Sequence, residues 1–218
     1  MIDKFVPDMA TALSGIKDGA VVLVPGFGNG MADTLLQGLL QTAASNMTLV
    51  ANAGGRDEGG VADLLGSGKF RKLICSFVRG DSVAGRLFTA GKLDLEIVPQ
   101  GTLAERIRAA GAGIQAFYTP TGADTLLAEG RETRMINGRN CVLEYPIFGD
   151  VALVDAWQAD RWGNLTHRES ARNFNPVMAA AAKLTIVQTK HKVALGDIPP
   201  ENVHTPGVFV HRVLHVPA

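Results

Sequence analysis

Residues 93–111, LDLEIVPQGTLAERIRAAG, hold a whole strand–turn–helix unit. Leu95, Ile97 and Val98 make a short apolar strand that runs to Pro99. Gln100 and Gly101 follow where such a strand empties into a crevice, and LAERIRAAG continues as a helix. Thr102-x-x-Glu105 has the spacing of a capping box, which predicts the helix start there. The same unit recurs upstream. VVLVPG (21–26) precedes a stretch with Leu35, Leu36, Leu39 and Leu40 at helical spacing. MTLVAN (47–52) precedes VADLLGSG, and KLICSFV (72–78) precedes SVAGRLFTAG. These strands are near-continuous apolar runs, as expected where helices cover both faces of a sheet. Repeated βα units with right-handed crossovers imply an α/β fold with an open, mostly parallel sheet.

The pattern changes after residue 120. Asn137-Gly138 between apolar flanks is a two-residue hairpin signal. VALVDAWQADRWGNLTHR reads as a strand, a turn at Asp160–Asn164 and another strand. PVMAAAAK (176–183) reads as a short helix with Pro176 in its first turn, and LTIVQTKH returns to strand. The carboxy-terminal third is therefore expected to bring mixed or antiparallel additions to the sheet.

At 218 residues the chain has room for one sizeable core, and no low-complexity linker or solenoid repeat divides it. A single domain over 1–218 is expected. Twenty-one basic side chains balance twenty-one acidic ones. That balance argues against nucleic acid or a membrane surface as partner, since both select a basic excess. Without net charge to keep molecules apart, any exposed apolar patch calls for cover by a partner. Cys75 and Cys141 lie far apart in apolar stretches. They are too few for a disulfide framework and wrongly spaced for zinc, and so read as buried free thiols of a reducing compartment. MIDKFVPDMA lacks the basic-then-apolar order of a secretion signal, and no apolar run reaches membrane-spanning length. A cytoplasmic location is expected.

Gln100 is neutral at every working pH and carries two N–H donors. It can face an oxygen that gains charge during acyl transfer without itself titrating. On local pattern alone the alternative is a glutamine at an exposed strand end before an ordinary capped helix. Gly26-Phe27-Gly28-Asn29-Gly30 follows the first strand, where glycines let backbone N–H groups approach an anionic or polarised oxygen. The loop lacks the Gly-Lys-Ser/Thr of a P-loop. Its spacing is a poor dinucleotide fingerprint too, because the second strand ends in Ala51-Asn52 rather than in a ribose-binding acid. A tight turn without a ligand is the alternative. Asn52 serves either an Asx-type turn or a ligand. Three strand ends that deliver glycines or neutral amides suit polar, uncharged recognition of an acyl group. Arg56, Asp57 and Glu58 read as a solvated loop, Arg106 and Arg108 as mostly surface charges, and Phe117, Tyr118 and Thr119 as packing residues. His211 and His215 share a strand-like stretch on which they would not converge, so no metal site is expected.

PQGTLAERIRAAGAG followed by AFYTPTG resembles the A-type chain of family I CoA-transferases of the 3-oxoacid and 3-oxoadipate type. The resemblance also covers DGAVVLVPGFGNGM, TLVANAGG and DRWGNLTHRESARNFNP, nearly the whole chain. It implies transfer of CoA from succinyl-CoA to a 3-oxo acid, with CoA as a carried substrate and no metal or redox cofactor. It implies Gln100 as the catalytic donor to the acyl oxygen. Gly26, Phe27, Gly28, Asn29 and Gly30 would form the CoA-side wall, and Asn52 would hold the acyl or carboxylate end. The nucleophilic glutamate would come from a companion B subunit, in a Ser-Glu-Asn-Gly context that these residues lack. Glu105 and Glu144 are the obvious acids near the matched blocks, and Glu105 is assigned to the cap. The chain is thus expected to be half of a heteromeric enzyme with ping-pong kinetics. It departs from the family pattern at Pro25, Ala32 and Ala51, where a glycine, a proline and an asparagine are usual. The alternatives are an enzyme for acetate or glutaconate, an isomerase or hydrolase, and a non-catalytic acyl-CoA-binding module.

Overall fold

Short runs of buried β-branched and aliphatic residues set the strands, and alternation along them assigns successive side chains to two helical layers. The computed structural model describes residues 1–216. Its first part runs β1 (Phe5–Val6), α1 (Met9–Leu13), β2 (Val21–Val24), α2 (Asp33–Leu40), β3 (Met47–Ala51) and α3 (Val61–Gly66). β4 (Phe70–Cys75), α4 (Val83–Thr89), β5 (Asp94–Ile97) and α5 (Gln100–Gly111) follow. β6 (Phe117–Thr119), β7 (Thr133–Ile136) and β8 (Arg139–Glu144) form a separate sheet. β9 (Gly149–Ala159), β10 (Leu165–Thr166), α6 (Asn175–Ala181), β11 (Ala182–Lys192) and β12 (Arg212–His215) return to the first.

The large sheet has the order β1-β12-β11-β9-β2-β3-β4-β5, parallel throughout, with β10 antiparallel beside β9. Val22, Val24, Leu49, Leu73 and Leu153 face one way and pack under α1–α4. Leu23, Val50, Val154 and Val187 face the other way, against Leu103 and Ile107 of α5 and Met178 of α6. Helices on both faces and an open parallel sheet are as the sequence implies. Truncating a fully buried member such as Leu49 to alanine removes packing worth about 2–5 kcal/mol. The antiparallel component is the small sheet around the expected Asn137-Gly138 hairpin, with β10 beside β9, while β9, β11 and β12 extend the large sheet in parallel. Its order β6-β8-β7 closes on Asn137 (φ 50) and Gly138 (φ 74), both in the left-handed region that a tight primed hairpin turn requires.

From β2 the chain winds outward through β3, β4 and β5. From β9, which pairs beside β2 through Val22↔Val151, it winds the opposite way through β11 and β12. The reversal lies between β2 and β9, and the carboxyl ends of the strands open there into a crevice.

Two local expectations need correction. The capping box does not form. α5 begins at Gln100 with Pro99 as its cap residue and no side-chain cap bond. Thr102 already lies inside the first turn, with its Oγ1 buried and without a partner, while Glu105 pairs with Arg108 at 2.8 Å. Arg106 is no surface charge either, its side chain being 14% exposed. It bonds Glu96 Oε1 (2.9 Å) and the Tyr145 carbonyl (2.7 Å), and lies 3.6 Å from the buried Glu144, which Arg131 approaches to 2.6 Å. This charged cluster rivets the small sheet to the β5 edge. Burial would raise the Glu96 carboxyl, but Lys72 and Arg106 outweigh it and hold the group below its usual range.

Candidate functional site

The crevice at the switch point is a cleft of about 720 Å³ at the carboxyl ends of β2, β3, β4, β9 and β11. Gly26, Phe27, Gly28, Asn29 and Gly30 form one lip, with the Phe27 ring exposed. The loop folds tightly, Phe27 N–H donating to the Asn29 carbonyl at 3.1 Å. It is clamped from below by the Arg168–Asn175 segment. Asn29 Nδ2 donates to Ser170 Oγ (2.9 Å), Asn173 Nδ2 to the Asn29 carbonyl (3.1 Å) and Asn175 Nδ2 to the Gly30 carbonyl (2.9 Å). Asn175, fully buried, also accepts from Asp155 N–H at 2.9 Å, so loop and strand β9 share one amide. Gly30 has φ +70, and a Cβ there would lie 2.4 Å from the Ala171 carbonyl oxygen. Only glycine fits.

Asn52 lines the cleft beside that lip. Its carbonyl accepts from Ser76 N–H (3.0 Å) and Ser76 Oγ (2.6 Å) at the end of β4, which fixes its backbone. Gln100 Nε2 donates to Asn52 Oδ1 at 2.6 Å. Gln100 is exposed and stands outside the cleft lining, tied to its rim through this bond. With Asn52 Oδ1 so engaged, the N–H groups of Asn52 and the second N–H of Gln100 have no protein acceptor among the described residues. Neutral donors at a cleft rim can stabilise an oxygen that becomes negative.

The structure thus brings six of the seven sequence-derived site residues to the cleft and the seventh to its edge. Arg56 and Glu58 remain exposed but stand on the cleft rim rather than in a free loop. Phe117, Tyr118 and Thr119 belong to the small sheet. Asp160 builds the turn at Asp160–Asn164 by accepting from Trp162 N–H (2.9 Å), Asn164 N–H (3.0 Å) and Asn164 Nδ2 (2.8 Å).

Sequence reading missed the far wall, formed by Asp155, Gln188 and Lys190. Gln188 donates to Asp155 Oδ1 (2.9 Å) and accepts from Leu35 N–H (3.2 Å). It thereby satisfies the first turn of α2, which has no side-chain cap of its own. Burial raises the Asp155 carboxyl, with the Gln188 bond and the Lys190 charge opposing, and burial likewise raises Asp33. His167 below them is pushed by burial down to about 4 and stays neutral, its Nε2 meeting Thr205 Oγ1 and its Nδ1 the Asp155 carbonyl, both at 2.9 Å. The available signal was Asp155 inside the apolar run VALVDAW and the polar end Gln188-Thr189-Lys190 of LTIVQTK. Cys75 and Cys141 are buried and unpaired, and burial lifts the Cys75 thiol to about 11. Among the described residues, no helix is long and apolar enough to cross a membrane.

Residues 6–215 match the family model of Coenzyme A transferase. The chain is 53% identical over 219 aligned positions to the A-type chain of the 3-oxoadipate CoA-transferase of Pseudomonas putida, covering 99% of this chain and 95% of that protein. It is 45% identical to the A-type chain of a probable succinyl-CoA:3-ketoacid coenzyme A transferase of Bacillus subtilis, covering 97% and 89%. Among solved structures, an acyl-CoA transferase of Escherichia coli O157:H7 superposes with a TM-score of 0.86 at 20% identity. That match covers 98% of this chain and 47% of the other, so the chain spans about half its length and shares its fold.

Proposed function

The chain belongs to the coenzyme A transferase family, and from that premise we propose that it is the A-type half of a heteromeric enzyme that moves CoA from succinyl-CoA to a 3-oxo acid of the 3-oxoadipate or acetoacetate class. One observation carries the reading: the Gln100–Asn52 amide pair at the rim of the cleft, beside a glycine lip. The amide N–H groups of this pair meet the acyl oxygen as it acquires charge. The lip contributes backbone donors and an exposed aromatic ring to the CoA-side wall.

The nucleophile is a glutamate supplied by a B subunit. Its carboxylate attacks the thioester carbonyl, CoA leaves as the thiolate, and an acyl–glutamyl anhydride forms. The thiolate then attacks the glutamyl carbonyl, which frees the first acid and leaves a glutamyl–CoA thioester for the second acid. Glu105 and Glu144 are already committed to Arg108 and Arg131, in keeping with a nucleophile from outside. Closure of the two halves excludes water, which would hydrolyse either intermediate. We assign the whole of 1–218 to one subunit domain at work in the cytoplasm, where its two buried thiols stay reduced.

Gln100→Ala, assembled with the B subunit, tests the reading. The loss of one oxyanion donor costs about 3 kcal/mol, so kcat/KM should fall about 100-fold while the unfolding midpoint stays in place. Unchanged kcat/KM rejects the donor role, and turnover by the chain alone rejects the half-enzyme.

A further inference from the structure

The small sheet ends in a strand that is paired on one side only. β7 bonds to β8, and residues 131–139 are all exposed. Ile136 and Arg139 flank the two-residue turn as a hydrogen-bonded pair, and the Glu132 carbonyl accepts from Leu143 N–H at 2.9 Å. Alternation then turns the N–H and carbonyl groups of Thr133 and Met135 away from β8, along the open edge. The usual guards of such an edge are missing. β7 holds no proline, no lysine and no shift of register. Its one charge, Arg134, is neutralised by Glu132 at 2.8 Å and lies over the Tyr118 ring, 5.2 Å from its centroid. Among the described residues, strands carry three exposed large apolar side chains, and two of them, Met135 and Ile136, are on β7. A chain without net charge does nothing to hold a second copy off that edge.

We propose that β7 is the docking edge for a second copy of this chain, the two strands pairing antiparallel about a twofold axis. Such a pairing is self-complementary, and only the outward residues Thr133 and Met135 can exchange backbone bonds across it. Three registers are open to them. Opposing Thr133 to Met135 sets Arg134 against Arg134, like charge on like. Opposing Met135 to itself sends Thr133 towards Asn137, where the turn at φ 50 ends the strand. Opposing Thr133 to itself sets Glu132 against Arg134 of the second copy, twice over, which is the favourable pairing. Charge thus selects the register centred on Thr133, and the two small sheets join into one of six strands. No residue of the small sheet lines the cleft, so this assembly goes beyond the transferase reading without drawing on its site.

The heteromer with its B subunit, whose use here rests on that reading, should sediment with two copies of each chain. Arg134→Glu opposes like charges and should halve the mass, and adding Glu132→Arg should restore it. Transfer by each variant should stay within about twofold, because the edge and the cleft share no residue. Cross-linking reads the register. Opposed Cα atoms of a hydrogen-bonded pair lie about 5.5 Å apart, within disulfide reach, so Thr133→Cys should link two A-type chains on mild oxidation. Ile136 lies about 20 Å from its copy in this register, so Ile136→Cys should not link. Cys75 and Cys141 are buried and take no part. A wild-type heteromer with one copy of each chain, or a mass indifferent to Arg134→Glu, overturns the pairing. So does a charge swap that fails to restore the mass, or a link at Ile136 or at neither site. A heteromer that passes these tests but transfers no CoA overturns the transferase reading alone.

Discussion

The two walls of the cleft are made of opposite chemistry. The wall at the ends of β2 and β3 is built on backbone groups and a neutral amide, Gly26–Gly30 and Asn52, with Gln100 tied to its rim and the exposed Arg56 and Glu58 beyond them. The wall at the ends of β9 and β11 carries Asp155, Gln188 and Lys190. The dipoles of the first do not titrate, and its lip depends on outside support, chiefly Asn173 and Asn175 beneath it. The second titrates and holds itself together through Gln188, which ties α2 to Asp155. Constant dipoles are thus kept apart from groups whose charge follows pH.

The largest effect expected on the neutral wall comes from its amide pair. Asn52→Ala and Gln100→Ala should each cost about 3 kcal/mol of transition-state stabilisation. Because one hydrogen bond joins the two, the double variant should lose no more than about tenfold beyond either single one. A fully multiplicative loss in kcat/KM would show two independent donors instead of a unit. Next comes the support of the lip. Gly30→Ala forces a Cβ against the Ala171 carbonyl at φ +70 and should cost about 2–3 kcal/mol in urea unfolding. Gly28→Ala, at φ +81 but facing open space, should cost about 1 kcal/mol. Equal losses would mean that backbone strain matters there and the clamp does not.

The smallest effect tests the titrating wall. Burial raises the Asp155 carboxyl in the folded state. Such a group favours the fold below the ordinary aspartate range and costs stability as pH rises through the raised value. Asp155→Asn keeps an acceptor for Gln188 and removes that penalty. It should gain about 2 °C in Tm at pH 7, with the gain gone at pH 3. A gain that persists in acid would assign it to packing.

Local features were legible before the fold was known. The βα units follow from apolar runs, the small-sheet hairpin from Asn137-Gly138, and the lip from glycines behind a strand. The Thr102–Glu105 spacing misled because the helix begins two residues earlier, at Gln100, and the same four residues fit inside its first turns with the threonine buried. Arg106 read as surface because nothing in its helix announces that β8 will cover it with Glu144. Asp155 and Lys190 acquire meaning only when Val22 pairs with Val151 and the two windings meet. That contact is non-local, and short-range periodicity cannot report it. Asn173 and Asn175 escaped notice for the same reason, since the loop they clamp lies far away in the chain.

Phe5 and Val6 pair with Val213 and Leu214. During synthesis β1 therefore has no strand neighbour until β12 has been made. Bringing such distant segments together is entropically slow, and the edge it completes should be among the last parts to set. A waiting strand of two residues offers little ladder for another nascent chain to add to, so its brevity guards against mispairing while it waits.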